Sequence, residues 1–168
     1  MESRRGFIAG MAGTVMLAIG GVTWLEGPGK AWSISYDPQL YYWCLPFKVY
    51  AIKTLEAGHV HERGSLVHFH TPQNVEQFTE EFDVIKIVAA VAGDEWRVEA
   101  EQVWINGELW GAMHLNDALA PEERVEQGAW IVPEGHVLVM GTTPSSFDSR
   151  YWGPLPTAKI AGRAYALF

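Results

Sequence analysis

An uncharged run of twenty residues, 6–25, most constrains how this chain of 168 residues folds. Twenty mostly apolar residues span the hydrocarbon layer of a membrane as one helix. Arg4 and Arg5 precede the run and Trp24 lies near its other end, which favours a cytoplasmic amino terminus. We therefore expect a cytoplasmic stub and one transmembrane helix over residues 1–26, followed by an outer domain over residues 27–168. A cleaved signal peptide or a twin-arginine export signal would leave that domain on the same side.

The outer domain reads as a series of short apolar runs bounded by turn residues. The chain contains 17 glycines and 9 prolines, a pattern typical of strands and turns rather than long helices. Alternation over 64–70, 96–103 and 103–109, together with short runs such as 160–167, predicts a mainly β domain, with a turn at Asn106-Gly107. One helix is expected over 72–82. The 12 basic and 20 acidic residues give a net charge of −8, which argues against nucleic acid as a partner.

Cys44 is the single cysteine, so it cannot form an intramolecular disulfide. It is either an apolar filler of the core or a nucleophile. Lys86 lies inside the apolar run 84–91, where loss of solvation would favour the neutral amine that can accept a proton. The ordinary alternative is an exposed lysine on an edge strand. A thiol and a desolvated amine are the two parts of an acyl-transfer dyad.

Four segments, in order along the chain, resemble motifs of the type I signal peptidases, most closely those of the conjugative-transfer branch. The segments are Cys44-Leu45-Pro46-Phe47-Lys48-Val49-Tyr50, residues 63–69, residues 86–94 and residues 141–153, with Gly162-Arg163-Ala164 after them. The resemblance implies a signal-peptidase-like fold of bent antiparallel sheets behind the membrane helix. It also implies a peptidase with Cys44 at the nucleophile position, where the family usually has serine, and Lys86 as general base.

The same resemblance implies supporting roles for three residues of the last segment. Ser146 aligns with a serine that orients the lysine amine, and Asp148 and Arg150 align with a salt bridge behind the site. A turn serine and a surface ion pair are the ordinary alternatives. The backbone N–H of Cys44 and the residue Tyr42 are the oxyanion candidates. This chemistry requires no metal and no cofactor.

The function implied is the processing of an exported precursor by a single-pass protein of the bacterial inner membrane, with the catalytic domain in the periplasm. The expected partners are the membrane, a peptide substrate such as a conjugative pilin, and proteins of a conjugation apparatus. Small residues are expected one and three positions before the cleaved bond, with the substrate bound as an added strand. A thioester reacts more readily with amines than an oxygen ester does. Cys44 therefore favours a transpeptidase that cyclises its product over simple hydrolysis.

Two other functions stay open at the level of sequence. The departures from the family pattern at Cys44, Tyr42, Lys48 and Thr142 allow a catalytically inactive scaffold of a conjugation or secretion apparatus. The histidine pairs His59-x-His61 and His68-x-His70 allow a metal-binding periplasmic module, because alternate residues of a strand share one face. Solvated histidines on an edge strand are the simpler interpretation of those pairs.

Overall fold

The computed structural model describes residues 31–37, 44–56, 58–71, 83–114 and 125–168. The expected membrane helix at 6–25 and the expected helix at 72–82 lie outside these residues. No helix within the described ranges has the length and apolar character needed to cross a membrane.

The described residues form eleven strands and one short α-helix. These elements are β1 (Trp32–Tyr36), β2 (Val49–Thr54), β3 (Leu66–His70), β4 (Asp83–Val91), β5 (Glu95–Glu99), β6 (Gln102–Ile105), β7 (Glu108–Ala112), β8 (Gly128–Ile131), β9 (His136–Met140), α1 (Ser149–Trp152), β10 (Leu155–Pro156) and β11 (Ile160–Ala166). A larger sheet has the order β1-β2-β11-β3-β4-β9-β10, and a smaller one the order β7-β6-β5-β8. Every strand pair is antiparallel, so the predicted mainly β, antiparallel class is confirmed.

The smaller sheet contains one turn that the sequence predicted and one that it did not. Asn106 and Gly107 both have positive φ, 49° and 85°, as a two-residue hairpin turn requires. The alternating run at 96–103 is not one strand, because Ala100 and Glu101 also have positive φ, 49° and 58°, and turn the chain between β5 and β6. Alanine and glutamate are not turn-forming residues, so this turn has no signal in the sequence.

The core consists of three clusters of buried apolar side chains. The first joins the two sheets, with Trp96, Val98 and Val103 of the smaller sheet facing Leu138 and Met140 of the larger one. The second lies on β3, β4 and β9. The third consists of Leu45, Tyr50, Ile52 and Ala164. Because Leu45 belongs to this third cluster, the segment that contains Cys44 is held against the larger sheet.

Candidate active site

Lys86 lies within β4, a central strand of the larger sheet, and is only 3% exposed. Val67 of β3 is its partner across the sheet, and its Nζ donates a hydrogen bond of 2.7 Å to Oγ of Ser146. No carboxylate of the described residues forms an ion pair with this amine. The predicted burial of Lys86 and its contact with Ser146 are confirmed, while its role as a base stays a prediction.

Ser146 belongs to the β9–α1 loop, residues 141–148, which leads from β9 back to the site. The serine is 1% exposed, and its backbone N–H donates to the carbonyl of Thr143 at 3.2 Å. Gly141 at the start of the loop donates its N–H to Oδ2 of Asp148 at the end, at 2.8 Å. These internal hydrogen bonds fix the loop, and with it the hydroxyl that meets Lys86.

A buried ion pair stabilises the β9–α1 loop from behind. Arg150 and Asp148 are 1% and 0% exposed, and two nitrogens of the guanidinium donate to the two carboxylate oxygens at 2.8 and 2.7 Å. Arg150 also donates to the carbonyls of Ala112, Gly141 and Thr143, at 3.0, 3.3 and 2.8 Å. Burial alone would lower the pKa of Arg150, but the hydrogen bonds and charge of Asp148 raise it. The predicted ion pair is confirmed, and it is not a surface pair.

Cys44 is half-buried, and its carbonyl oxygen is held by Thr142. The Thr142 N–H donates to this oxygen at 2.8 Å, and the Thr142 hydroxyl donates to it at 3.3 Å. The next residue, Leu45, is 3% exposed in the third core cluster. Cys44 is therefore fixed from its carboxyl side by two hydrogen bonds and by the packing of its neighbour.

The Cys44 segment and the Lys86–Ser146 pair meet at Gly141. A β-carbon placed on Gly141 would lie 2.6 Å from the Cys44 carbonyl oxygen and 2.5 Å from Ser146 Oγ. Both groups therefore pack directly against the same α-carbon, and Ser146 bonds to the amine of Lys86 on the other side. The structure thus brings five of the sequence-predicted residues, Cys44, Lys86, Ser146, Asp148 and Arg150, to one loop.

Tyr50 and Lys48 fix the far end of the Cys44 segment. The Tyr50 hydroxyl donates to the Phe47 carbonyl at 2.9 Å, and burial, with smaller contributions from the charges of Asp37 and Cys44, raises the pKa of Tyr50 to about 12. The backbone N–H of Lys48, where the family pattern has glycine, donates to the carbonyl of Phe168 at 2.8 Å. The departure at Lys48 is thus compatible with an ordered turn.

The side chains gathered at this loop are of the kinds that acyl transfer uses: a thiol on an anchored turn, a buried amine and a hydroxyl bonded to that amine. Tyr42, one oxyanion candidate, lies outside the described residues, so the backbone N–H of Cys44 is the remaining one. Sequence reasoning noted Gly141 and Thr142 only as a departure and missed their contacts with Cys44, because those contacts join segments far apart in the chain.

Four of the six histidines form two pairs. The rings of His59 and His61 lie 5.5 Å apart, and those of His68 and His70 lie 5.9 Å apart. Asp83, which the sequence did not single out, lies with its Oδ1 3.1 Å from His68 Nε2 and 2.8 Å from His70 Nδ1. Within the described part of the chain, no group of three or more histidine, cysteine, aspartate or glutamate side chains is arranged to hold a metal ion.

Comparison with known proteins gives one consistent family. The family described as signal peptidase, peptidase S26, matches residues 11–168. The probable signal peptidase I-2 of Synechocystis sp. is 32% identical over 108 residues, covering 64% of this chain and 48% of that protein. Signal peptidase I of Leptolyngbya laminosa is 30% identical over 109 residues, covering 63% of this chain and 52% of that protein.

The crystal structure of a signal peptidase I from Enterococcus faecalis V583 overlaps 66% of this chain and 98% of that one, with a TM-score of 0.42 and 23% identity. The chain spans about half the length of the two cyanobacterial relatives.

Proposed function

The chain belongs to the signal peptidase family, and on that premise we propose that it is a peptidase that cleaves exported precursor proteins with a Cys44–Lys86 dyad. One observation supports this most: the amine of Lys86 is buried and bonded to Ser146, and the same loop contacts Cys44. A structural lysine gains nothing from this costly placement, because burial of an amine without a carboxylate is unfavourable. A base for a neighbouring thiol requires it.

The proposed reaction proceeds through a thioester. The Cys44 thiol passes its proton to Lys86 Nζ as Sγ attacks the carbonyl carbon of the scissile peptide. The Cys44 N–H, with a second donor at Tyr42, stabilises the oxyanion. The tetrahedral intermediate collapses, the C–N bond breaks, and the leaving amine takes the proton from Lys86. Water or an amine then attacks the thioester, again with Lys86 accepting the proton. The C–S bond breaks, and Sγ takes this proton back from Lys86 to regenerate the thiol and the neutral amine.

The proposed substrate is an exported precursor with small residues one and three positions before the cleaved bond. The motif from Cys44 to Tyr50 resembles that of the conjugative-transfer branch, which supports a pilin as substrate and proteins of a conjugation apparatus as further partners. A thioester favours attack by amines, so the amino terminus of the substrate competes with water. We therefore propose a transpeptidase that joins the ends of its substrate in addition to cleaving it.

An exposed aromatic face supports a position at the membrane surface. Trp32, Ile34 and Tyr36 of β1 are 49%, 62% and 62% exposed, although alternate strand residues like these usually face a core. Tyr165 packs against Trp32 at 5.5 Å between ring centroids, and Lys53 Nζ lies 5.9 Å from the Trp32 ring centroid. Aromatic rings with cations beside them are typical of membrane interfaces. The proposed location is the outer face of the inner membrane, with residues 1–26 as the anchor.

This location is tested with a fluorescent label on the face itself. Ile34→Cys, in a full chain that also has Cys44→Ala, is labelled and reconstituted in vesicles containing brominated lipid. We expect quenching of this label, and none for the control Ile131→Cys, whose parent side chain is 59% exposed on the smaller sheet. Equal quenching of the two labels would contradict the proposed orientation.

The peptidase activity is tested by co-expressing the full chain with a precursor pilin and measuring intact product masses. We expect no processing by Cys44→Ala or Lys86→Met. Cys44→Ser retains weak activity and shifts the product from cyclic to linear, which is heavier by one water. Full processing by Cys44→Ala would mean that the thiol is core packing and that the chain is a scaffold.

A further inference from the structure

We propose that Thr142 is a positioning residue for the Cys44 thiol, an inference that rests on the proposed function and names a further residue of the same site. Thr142 has no ionisable group and is exposed. Its position is where the family motif usually has aspartate, so its identity marks a departure rather than a match. Its contacts with Cys44, and not the motif, support the role.

Thr142 acts on the thiol through the backbone of Cys44. Its N–H and its hydroxyl both donate to the Cys44 carbonyl oxygen, at 2.8 and 3.3 Å. Two donors on one carbonyl fix the plane of the peptide that follows Cys44. The packing of Leu45 fixes the other end of that peptide. Together they restrict the rotation that would swing the Cα–Cβ bond of Cys44 away from the site.

The same loop holds the other half of the dyad, which makes Thr142 a link between the two. Thr142 follows Gly141, whose N–H is bonded to Asp148 and whose carbonyl accepts hydrogen bonds from Arg150 and Trp110. Four residues later, Ser146 bonds Lys86. The Cys44 carbonyl and the Lys86 amine are therefore both hydrogen-bonded to residues of one loop. Loss of the Thr142 contact frees Cys44 to move relative to the amine.

The chain contains a matched control for this contact. Thr157 donates its N–H at 2.8 Å and its hydroxyl at 3.0 Å to the carbonyl oxygen of Gly135. This is the same double contact, made in the turn after β10 by residues that contact neither Cys44 nor Lys86. Thr142→Val and Thr157→Val each remove one hydroxyl of this kind and preserve the shape of the side chain. Thr142→Ser restores the hydroxyl.

The test measures the rate at which iodoacetamide alkylates Cys44 in the full chain in detergent, as a function of pH. We expect Thr142→Val to slow alkylation near neutral pH by about three- to tenfold, the effect of one hydrogen bond. Thr157→Val leaves the rate unchanged, and Thr142→Ser restores it to within about twofold. With a cleavable peptide, kcat falls by a similar factor in Thr142→Val while KM is unchanged. A wild-type alkylation rate in Thr142→Val, or an equal loss in Thr157→Val, would overturn the proposal.

Lys86→Met in the same assay separates this inference from the proposed function. If Lys86→Met slows alkylation and Thr142→Val does not, the dyad stands and the positioning role of Thr142 is wrong. If Cys44 in Lys86→Met is alkylated at the wild-type rate, the amine does not activate the thiol. The proposed dyad is then wrong, whatever the result for Thr142→Val. The alkylation reaction needs no substrate, so neither result depends on having found the natural precursor.

Discussion

Replacing Gly141 by alanine offers the sharpest separation between activity and stability. A β-carbon at this position would lie 2.6 Å from the Cys44 carbonyl oxygen and 2.5 Å from Ser146 Oγ, where real β-carbon contacts are essentially never under 3.0 Å. One neighbour is backbone and the other is a buried side chain that bonds Lys86. Neither can yield without moving part of the proposed dyad.

The size of both effects follows from that geometry. Relief of the two contacts to 3.0 Å requires displacements of about 0.4 Å for the Cys44 carbonyl and about 0.5 Å for Ser146 Oγ, so the change in their separation is at most about 1 Å. A misplacement of about 1 Å costs roughly 10²-fold in rate, and overpacking of this kind costs about 1–3 kcal/mol of unfolding free energy. We therefore expect Gly141→Ala to lose ten- to a hundredfold in kcat/KM while the protein remains folded.

Gly162→Ala is the matched control for the same steric change. A β-carbon at Gly162 would lie 2.6 Å from Ile52 Cγ2 and 3.1 Å from the Lys53 carbonyl oxygen, and it would contact none of the site residues. We expect a similar loss of unfolding free energy in urea, with peptide cleavage per folded molecule within about threefold of wild type. Equal activity of the two variants, with both folded, would refute the reasoning that Gly141 sets the spacing of the site.

Three further outcomes follow from the described contacts. Arg150→Met leaves the buried Asp148 carboxylate unpaired, so urea unfolding is expected to show a loss of about 3–5 kcal/mol. Ser146→Ala removes the hydrogen-bond partner of Lys86, and a peptide-cleavage assay is expected to show a rate at least tenfold lower with an unchanged KM. Tyr50 keeps its proton in the folded state up to a pKa of about 12, whereas the unfolded phenol loses it near 10. Unfolding free energy measured from pH 9 to 11.5 therefore falls as pH rises above about 10, and it falls less steeply in Tyr50→Phe; equal slopes would contradict this.

Strands and tight turns were predictable where their signal lies in a few consecutive residues. The alternation of residues 64–70 predicted β3, and Asn106-Gly107 predicted the turn that β6 and β7 share. The alternation of Trp32, Ile34 and Tyr36 also contains a local signal for β1. The turn at Ala100 and Glu101 could not be predicted, because both residues have positive φ there and neither alanine nor glutamate favours it.

The candidate site was predicted in its residues but not in its connections. Motif resemblance identified Cys44, Lys86 and Ser146. The predicted buried contact between Lys86 and Ser146 is present in the structure. The hydrogen bond from the Thr142 hydroxyl to the Cys44 carbonyl joins residues 98 positions apart. No local sequence pattern indicates which loop will contact which turn. In the sequence, Thr142 is only a departure from a motif. Its hydrogen bonds with the Cys44 carbonyl are a feature of the folded structure alone.

Detection of a covalent intermediate tests the central claim most directly. The full chain is mixed with a precursor peptide, quenched in acid within milliseconds to seconds, and analysed by intact-mass and peptide-mapping mass spectrometry. We predict a thioester adduct on Cys44 whose mass equals the acyl portion of the substrate, sensitive to hydroxylamine and absent from Cys44→Ala. Cleavage of the same peptide by Cys44→Ala at the wild-type rate, with no adduct in the parent chain, would contradict the account.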